Sequence, residues 1–313
     1  MGRPGSVASA AMKKVLLVTN SFAGSVSTRA HEVIVKALSA DFKLEAETTR
    51  SRDHATELGR DAVERGFDAV VAFGGDGTLN EVAQALVGTD VSLGVLPGGS
   101  TNVLVRTLGI PSDPIDATAY VASRLRSGTK RRINVGRLGS RYFLFAAGVG
   151  LDAEVVKRVE NDPRRRKVSH NLLFLRHALE AAATRYRAAD ASMTLEVDGR
   201  SPQKALFVIC CNARPFTYFR NLPVDVCPEA HLDLGLDFLG LTKIHASTIP
   251  RVMWSVFVSR SHPGWKNAAY HHDVPGATLT TTEPLPMQVD GDYIGEVTSA
   301  RFDLIPNALD LLA

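Results

Sequence analysis

Strand-forming runs and amphipathic stretches alternate along the first 130 residues of the chain. Runs rich in strand-forming residues predict strands at 14–19, 42–49, 68–73 and 92–96. Apolar residues at helical spacing predict helices around 33–38 and from about 53 to 65. Such alternation is typical of an α/β region in which a parallel sheet is covered by helices on both faces.

The pattern changes after about residue 130, where strand predictions follow one another. Residues 131–138 and 141–147 predict a hairpin, and helical spacing predicts helices over about 170–187 and 243–259. Further strand-forming runs lie at 192–197, 205–211, 232–239 and 277–282. We therefore expect an α/β N-terminal domain over 12–132 and a mainly antiparallel, β-rich C-terminal domain over 133–299. Residues 300–313 are expected to pack back on the first domain, and residues 1–11 to form a disordered tail.

A glycine-rich segment directly follows the apolar run that ends at Phe73. Its sequence is Gly74-Gly75-Asp76-Gly77-Thr78-Leu79-Asn80, in which Thr78 can cap a helix over 79–86. The three glycines allow positive φ angles and a close backbone approach to a ligand, and the N–H groups of the helix start favour an anion. Because Asp76 would repel a bare phosphate, the segment predicts a bridging divalent cation, or a loop ordered through water.

Two other loops follow strands of the predicted parallel sheet. Residues Asn20–Gly24 follow the first strand, and Pro97–Asn102 follow the fourth. Ligands of parallel sheets bind at the carboxyl ends of the strands, where these loops and the glycine-rich segment would meet. An ordinary βα turn explains a lone Gly-Gly-x-Gly about equally well. The coincidence of three loops favours a phosphate site.

The composition is that of a cytosolic α/β enzyme. Of 313 residues, 45% are hydrophobic and 22% are charged, which is enough for a sizeable core. The net charge of +3 is too small to argue for nucleic acid. Cys210, Cys211 and Cys227 lack metal or redox spacing and are expected to be reduced thiols in or near the core. No apolar run approaches the roughly 20 residues that a membrane-spanning helix needs.

The two glycine-containing loops resemble those of the diacylglycerol kinase catalytic-domain family, which also contains sphingosine and ceramide kinases and bacterial lipid kinases. The resemblance rests on Gly74–Glu81 after a strand and on Leu96–Asn102 about twenty residues later. It extends from Asn20 to about Pro306 and is closest to soluble actinobacterial members. It implies a nucleotide-binding α/β domain, a β-rich lipid-binding domain, and ATP in the cleft between them.

The resemblance also implies roles for individual residues. Asn20, Gly24, Thr49, Ser100 and all of 74–80 match positions that contact nucleotide. The segment Gln288-Val289-Asp290-Gly291-Asp292 matches the motif that carries the general base, which makes Asp290 the expected base. Asp292 stands where most members have glutamate, and its expected catalytic role is to position the base or the substrate. An isolated Asp-Gly would more often be a structural turn, and the family match reverses that preference.

Three positions depart from the family's pattern. Val103 and Asn134 replace aspartates of a cleft network that supports magnesium, so the metal geometry stays open, with Asp76 as the candidate ligand. Leu234 replaces an aspartate near a structural cation that some relatives bind. Asp233 is the residue that could substitute for it.

The residues and the resemblance together predict a lipid kinase. It would use ATP and Mg²⁺ to phosphorylate the hydroxyl of diacylglycerol, giving phosphatidic acid, or that of a related lipid. An NAD kinase would explain the glycine-rich segment but neither Leu96–Asn102 nor 288–292. A non-catalytic lipid- or nucleotide-binding homologue would fit the two lost aspartates, but it would need neither Asp76 nor Asp290.

The expected partners are a diacylglycerol-like lipid substrate and, transiently, a membrane surface, without nucleic acid; a homodimer stays open. The basic run Arg164-Arg165-Arg166-Lys167 either touches anionic lipid or is a solvated loop. Phe216, Tyr218 and Phe219 either line a lipid entry slot or pack in the core. We expect a cytoplasmic protein that works peripherally at the inner membrane surface.

Overall fold

The computed structural model describes residues 12–21, 26–166, 170–183, 191–243 and 246–313. Its N-terminal region alternates strands and helices, as the sequence predicts. The elements are β1 (Lys14–Thr19), α1 (Thr28–Ser39), β2 (Lys43–Thr48), α2 (His54–Glu64), β3 (Ala69–Gly74), α3 (Asp76–Leu86), β4 (Ser92–Pro97), α4 (Val103–Thr107) and α5 (Pro114–Ser127). The predicted tail 1–11 lies outside the described residues.

Four parallel strands form the N-terminal part of the sheet, in the order β4-β3-β1-β2. Every residue of β3 and β4 is buried, which is the pattern of a parallel sheet covered on both faces. The carboxyl ends of the four strands lie at one edge. There the N–H of Thr49 donates to the carbonyl of Thr19 over 2.9 Å, and that of Asn20 to the carbonyl of Phe73 over 3.0 Å.

The C-terminal region is β-rich and antiparallel, which confirms the expected fold class. Its elements are β5 (Arg131–Leu138), β6 (Arg141–Phe143), β7 (Ala146–Val149), α6 (Leu151–Asn161), α7 (His170–Ala183), β8 (Met193–Val197), β9 (Gln203–Ala205), β10 (Phe207–Cys211), β11 (Thr217–Phe219), β12 (Leu222–Val224), β13 (Leu236–Leu241), α8 (Ile249–Trp254), β14 (Ala268–Val274), β15 (Gly276–Val289) and β16 (Asp292–Leu311). Cys210, Cys211 and Cys227 are free and buried, as expected.

The long strand β16 joins the two parts of the sheet. It pairs antiparallel with β15 and β5, and at Leu311 it pairs parallel with Leu93 of β4. Fourteen strands of the described residues therefore form one sheet, while β11 and β12 form a separate two-stranded ribbon. The β15–β16 turn, Asp290-Gly291, has φ angles of 47° and 87°, both in the left-handed region that two-residue hairpin turns favour.

Several elements differ from the sequence prediction. The helix predicted over 243–259 is a 3₁₀ turn at 246–248, the short α8, and a π-helical turn at 255–259. The predicted strand over 232–239 begins only at Leu236. Helix α6 was not predicted, and the strand predicted at 277–282 is only a part of β15. The described part of the helix predicted over 170–187 ends at Ala183.

Candidate active site

The glycine-rich segment is a direct junction between a strand and a helix. Strand β3 ends at Gly74, helix α3 begins at Asp76, and only Gly75 lies between them as the N-cap. The expectations that Thr78 caps the helix and that the glycines adopt positive φ are wrong. The φ angle of Gly75 is −87°, and the Thr78 hydroxyl accepts a hydrogen bond from the Asn20 side chain at 2.9 Å.

The start of α3 offers hydrogen-bond donors to an anion. The N–H of Leu79 donates to the carbonyl of Gly75 over 3.2 Å, so this bond begins the helical series. The amides of residues 76–78 precede it and have no carbonyl one turn earlier within the helix. With 11 residues, α3 also directs the positive end of its dipole to the carboxyl edge of the sheet.

Four glycines let the two loops at this edge pack backbone against backbone. The N–H of Gly98 donates to the carbonyl of Gly74 over 2.8 Å. A Cβ on Gly99 would lie 2.7 Å from the Cα of Gly75, and one on Gly98 would lie 2.9 Å from the Cα of Gly74. Side chains would therefore separate the loops. Gly77 differs, because a Cβ there would point towards a carboxylate oxygen of Asp292, 3.4 Å away.

The Asp76 carboxylate is turned towards α4. It accepts hydrogen bonds from the backbone N–H of Val103 at 3.0 Å and of Leu104 at 3.3 Å. Burial raises the pKa of Asp76, while the amides of Val103, Leu104 and Asn102 act in the opposite direction. Asp76 thus fastens the second loop to the first, and Val103 is part of that contact through its backbone.

Magnesium has no ready-made protein cage here. Both Asp76 oxygens already accept amide hydrogen bonds. Among the described residues, no group of three or more His, Cys, Asp or Glu side chains is arranged to hold a metal ion. The donor set therefore does not fit an ion held by the protein alone, and a magnesium ion fits this site only as part of a Mg²⁺–nucleotide substrate.

Other residues matched to nucleotide contacts have different positions. Asn20 and the 6% exposed Thr49 lie at the carboxyl edge, and Ser100 is exposed on the second loop, so the structure brings these three to the same edge. Leu79 is fully buried in the core beneath the loop, so its side chain is not exposed to a nucleotide, and its membership of the nucleotide site stays a prediction. Gly24 lies outside the described residues.

Asn80 joins α3 to the C-terminal region rather than facing the loop. Its side-chain amide donates to the Asp290 carboxylate at 2.7 Å and to the Tyr142 carbonyl at 2.9 Å. One turn later, the Gln84 amide donates to the same carbonyl at 2.8 Å and accepts from the Tyr142 N–H at 3.0 Å. Since Asn80 is only 1% exposed, its side chain serves this bridge, and its predicted nucleotide contact stays a prediction.

The Asp290 carboxylate is enclosed by hydrogen-bond donors. Besides Asn80, it accepts from the backbone N–H of Leu144 at 2.7 Å, and from those of Phe145 and Ala146 at 3.0 Å. Burial raises its pKa to about 7, although the three amides and Asn80 favour the charged form. With four donors on two buried oxygens, this geometry suits an anchor for 144–146 and does not suit the expected general base.

The Asp292 carboxylate is the one that faces Gly77 and the start of α3. Burial raises its pKa to about 6; Glu160 and Glu81 act in the same direction, and Arg52 and Arg141 oppose them. In the part of the chain that the structure describes, no hydrogen-bond donor contacts this carboxylate. Asp292 is therefore a part-buried acceptor that is ionised at neutral pH and has lone pairs available.

Sequence reasoning missed the residues that surround Asp292. The Arg52 guanidinium donates to the Tyr293 carbonyl at 3.1 Å, and the Tyr293 N–H donates to Glu160 at 2.9 Å. Arg141 pairs with Asp53 at 3.2 Å across the same boundary. Isolated charged residues in ordinary helices and turns carry no motif, so only the fold reveals this ring of charges.

The departures at 134 and 233–234 have a structural explanation. The Asn134 side chain accepts from the Asn307 N–H at 2.8 Å and donates to the Leu234 carbonyl at 2.9 Å. An aspartate could accept from the Asn307 N–H, but it has no NH₂ group to donate to the Leu234 carbonyl. Asp233 pairs with Arg131 at 2.8 Å, so an arginine lies where the resemblance implies a cation. These residues do not fit the structural cation of the relatives.

Comparison with known proteins bears directly on this site. Residues 14–138 match the model of the diacylglycerol kinase catalytic domain. Over these residues the chain is similar to the diacylglycerol kinase catalytic domain. It is 26% identical to "Diacylglycerol kinase" of Bacillus subtilis over 290 residues, 91% of either chain. It is 29% identical to "Probable lipid kinase YegS-like" of Pseudomonas aeruginosa over 309 residues, 95% of this chain and 93% of the relative.

The similarity in fold extends over nearly the whole chain. A crystal structure of a diacylglycerol kinase from Bacillus anthracis superimposes with a TM-score of 0.76, at 19% identity, over 97% of this chain and 98% of the other. The family and its relatives support a lipid kinase. The narrower likeness to actinobacterial members stays a prediction.

The residues predicted to meet a membrane are only partly described. The Arg164 guanidinium pairs with Asp162 at 2.7 Å. The side chains of 165–167 lie outside the described residues. None of the helices in the described ranges has the length and apolar character needed to cross a membrane.

Proposed function

We propose that this protein transfers the γ-phosphoryl group of Mg²⁺–ATP to the hydroxyl of diacylglycerol, forming phosphatidic acid and ADP. The observation that carries the proposal is the position of Asp292. Its unpartnered carboxylate faces Gly77 at the start of α3, where the amides of 76–78 suit a phosphate. A proton acceptor and an anion site therefore lie side by side.

In this mechanism Asp292 is the general base. With a pKa of about 6 it is mostly ionised at neutral pH, yet basic enough to accept a proton. The lipid oxygen attacks the γ-phosphorus, its proton passes to Asp292, and the bond to the bridging oxygen of ADP breaks. The resemblance had assigned this role to Asp290, whose four donors leave it better suited to positioning.

The remaining residues neutralise the phosphate charge and orient the loops around it. The amides of 76–78 and the dipole of α3 favour the phosphate charge, while Asn20 and Ser100 lie at the same edge for further contacts. Asp76 fixes α4 and the second loop. Asp290 holds 144–146, and through the turn at Gly291 it sets the direction in which Asp292 leaves the hairpin.

The two alternatives gain less support. The relatives reported above are named as lipid or diacylglycerol kinases, and none of these names points to an NAD kinase. A non-catalytic binder would have no use for a carboxylate of raised pKa beside an anion site. The same raised pKa is what phosphoryl transfer to a hydroxyl needs.

A transfer assay with radiolabelled ATP tests the proposal. The purified chain is offered diacylglycerol, monoacylglycerol, sphingosine, ceramide and NAD⁺ in separate reactions, with Asp292→Asn as the matched inactive control. We expect labelled phosphatidic acid from diacylglycerol, and about 10²- to 10⁴-fold less from the variant. Transfer only to another lipid would mean that this lipid, and not diacylglycerol, is the substrate. Transfer to NAD⁺ would mean that the protein is an NAD kinase. No transfer to any acceptor would favour the non-catalytic binding homologue.

A further inference from the structure

Three strongly exposed apolar side chains lie on three elements of the C-terminal region, namely β12, α8 and the π-helical turn at 255–259. Trp254 and Leu222 are each 62% exposed, and Val258 is 54% exposed. The other large apolar residues with high exposure in the described ranges lie singly elsewhere, for example Val33 and Ile115, as is usual for a protein surface. We call Leu222, Trp254 and Val258 the docking face.

The elements that carry the docking face are packed together. The N–H of Asp225, just after β12, donates to the carbonyl of Val256 over 2.8 Å. Phe219 of β11 packs edge-to-face on Phe257, with ring centroids 6.2 Å apart. The predicted alternative of core packing holds for Phe216 and Tyr218, which pack against the core, whereas Phe219 packs on Phe257. This ring contact supports a rigid base from which the exposed side chains project.

The two segments that carry the docking face contain basic but no acidic residues. Residues 206–224 and 238–272 contain no aspartate or glutamate. The same segments contain six basic residues, Arg214, Arg220, Lys243, Arg251, Arg260 and Lys266. Asp225, between the segments, is 2% exposed and is paired with Arg260 at 2.6 Å and Arg214 at 3.3 Å.

We propose that the docking face binds the surface of an anionic lipid bilayer. A tryptophan with neighbouring aliphatic residues suits the boundary between headgroups and acyl chains. The basic residues that flank it would be attracted to anionic headgroups, each by a modest amount. The aromatic ring and the charges therefore fit the same partner.

A second copy of the chain fits this face less well. A two-fold interface would place the same surface of each copy opposite itself. Since the acid-free segments supply only positive charges, such an interface would bring like charges together without acidic partners from these segments. We therefore commit to the membrane surface and treat self-association as an outcome that would overturn the proposal.

The docking face is also connected to the candidate active site through α4. At its far end, Arg106 donates to the Arg220 carbonyl at 3.1 Å and lies 3.5 Å from the centre of the Tyr218 ring. At its near end, Val103 donates to Asp76. Five residues of helix span about 7 Å, so Arg220, two residues before Leu222 of the docking face, lies one short helix from the phosphate loop. This proximity would matter for delivering a lipid to the active site, and that part rests on the proposed function. The bilayer contact itself does not depend on it.

Vesicle flotation of the full chain tests the proposal without nucleotide. Vesicles of phosphatidylcholine alone are compared with vesicles that also contain phosphatidylglycerol. We expect binding to the anionic vesicles that weakens with salt, and about tenfold weaker binding for the triple variant Leu222→Ser, Trp254→Ser, Val258→Ser. The control variant Val33→Ser, Ile115→Ser removes remote exposed apolar groups and should bind like wild type.

A second measurement reports on Trp254 itself. The chain has two tryptophans, so Trp265→Phe leaves Trp254 as the sole emitter. Its emission should shift to the blue with anionic vesicles and be quenched by brominated acyl chains. Unchanged Trp254 emission, or a triple variant that floats like wild type, would overturn the proposal. It would also be overturned if wild type were a dimer in light scattering and the triple variant lost that dimer but still bound vesicles.

The outcome is separable from that of the proposed function. Phosphorylation of a water-soluble short-chain diacylglycerol should be the same in the triple variant and in wild type. If wild type phosphorylates no lipid but still binds vesicles through the docking face, the proposed function fails and the bilayer contact stands. If wild type phosphorylates diacylglycerol but the triple variant floats like wild type, the proposed function stands and the bilayer contact fails.

Discussion

The side-chain amide of Asn80 donates a 2.7 Å hydrogen bond to the carboxylate of Asp290, from which it is separated by 210 residues of sequence. This bond connects the phosphate-loop helix α3 to the turn of the β15–β16 hairpin. The same carboxylate holds the amides of Leu144, Phe145 and Ala146. One buried anion therefore fixes the relative position of three elements, and its partner two residues later, Asp292, is left to face the loop.

The anchor role of Asp290 predicts a loss of stability on substitution. Asn at this position would present an NH₂ group to neighbours that are all donors, so Asp290→Asn should lower the free energy of unfolding by about 1–3 kcal/mol. Urea denaturation of the variant measures it. The control Asp90→Asn, at an exposed site, should be neutral. A stable variant whose only defect is in kcat would contradict the anchor role and return the base to Asp290.

Substitutions at Asp292 should act on turnover instead. Asp292→Asn removes the proton acceptor without disturbing a hydrogen bond, so kcat should fall by about 10²- to 10⁴-fold, with the ATP KM and the unfolding midpoint nearly unchanged. Asp292→Glu restores the residue that most family members have and should keep most of the activity. If Asp292→Asn turns over like wild type, another group must accept the proton.

The pKa of Asp292 predicts the pH profile of the reaction. The ionised form is the active one, so kcat/KM should rise with pH and level off above a pKa of about 6. Arg52 favours the charged form, and Arg52→Gln should therefore move the profile to higher pH. Rates measured with a short-chain lipid from pH 5 to 9 test both statements. A profile that moves to lower pH, or does not move, would show that Asp292 does not control it.

The sequence predicted the parallel half of the fold well because its signals are local. Strands β1, β3 and β4 are short, mostly apolar runs, and the loops at their carboxyl ends have small or polar residues. Strand β16 was missed because Gly295, with φ of 118°, and Asn307, with φ of 47°, interrupt its alternation. Its 20 residues become a strand through pairing with β5 and β15, which are distant in sequence.

The site was predicted by motif and corrected by geometry. The motif located Asp290 and Asp292, but the choice between them depends on the backbone amides of 144–146, and amide donors have no residue signature. Leu79 and Asn80 were included because they belong to the motif, although one is in the core and the other bridges to Tyr142. A shared motif therefore does not imply that each of its residues touches ligand.

The contacts of the loop around Asp233 predict that the stability of the protein does not depend on a divalent cation. Arg131 pairs with Asp233 at 2.8 Å, and Asn134 donates to the Leu234 carbonyl at 2.9 Å, so side chains supply the positive charge and the donor that an ion would otherwise supply. Thermal unfolding of wild type should give the same midpoint in EDTA and in millimolar Mg²⁺.

The variant Asn134→Asp provides the contrast. It keeps the acceptor for the Asn307 N–H but loses the donor to Leu234 and places a carboxylate beside that carbonyl. We expect its midpoint to fall in EDTA and to recover in part with Mg²⁺, because a cation can then bridge the two oxygens. Asn161→Asp, on the exposed end of α6, is the matched amide-to-acid control and should respond equally in both buffers. A wild-type midpoint that drops in EDTA would mean that this loop still binds a cation.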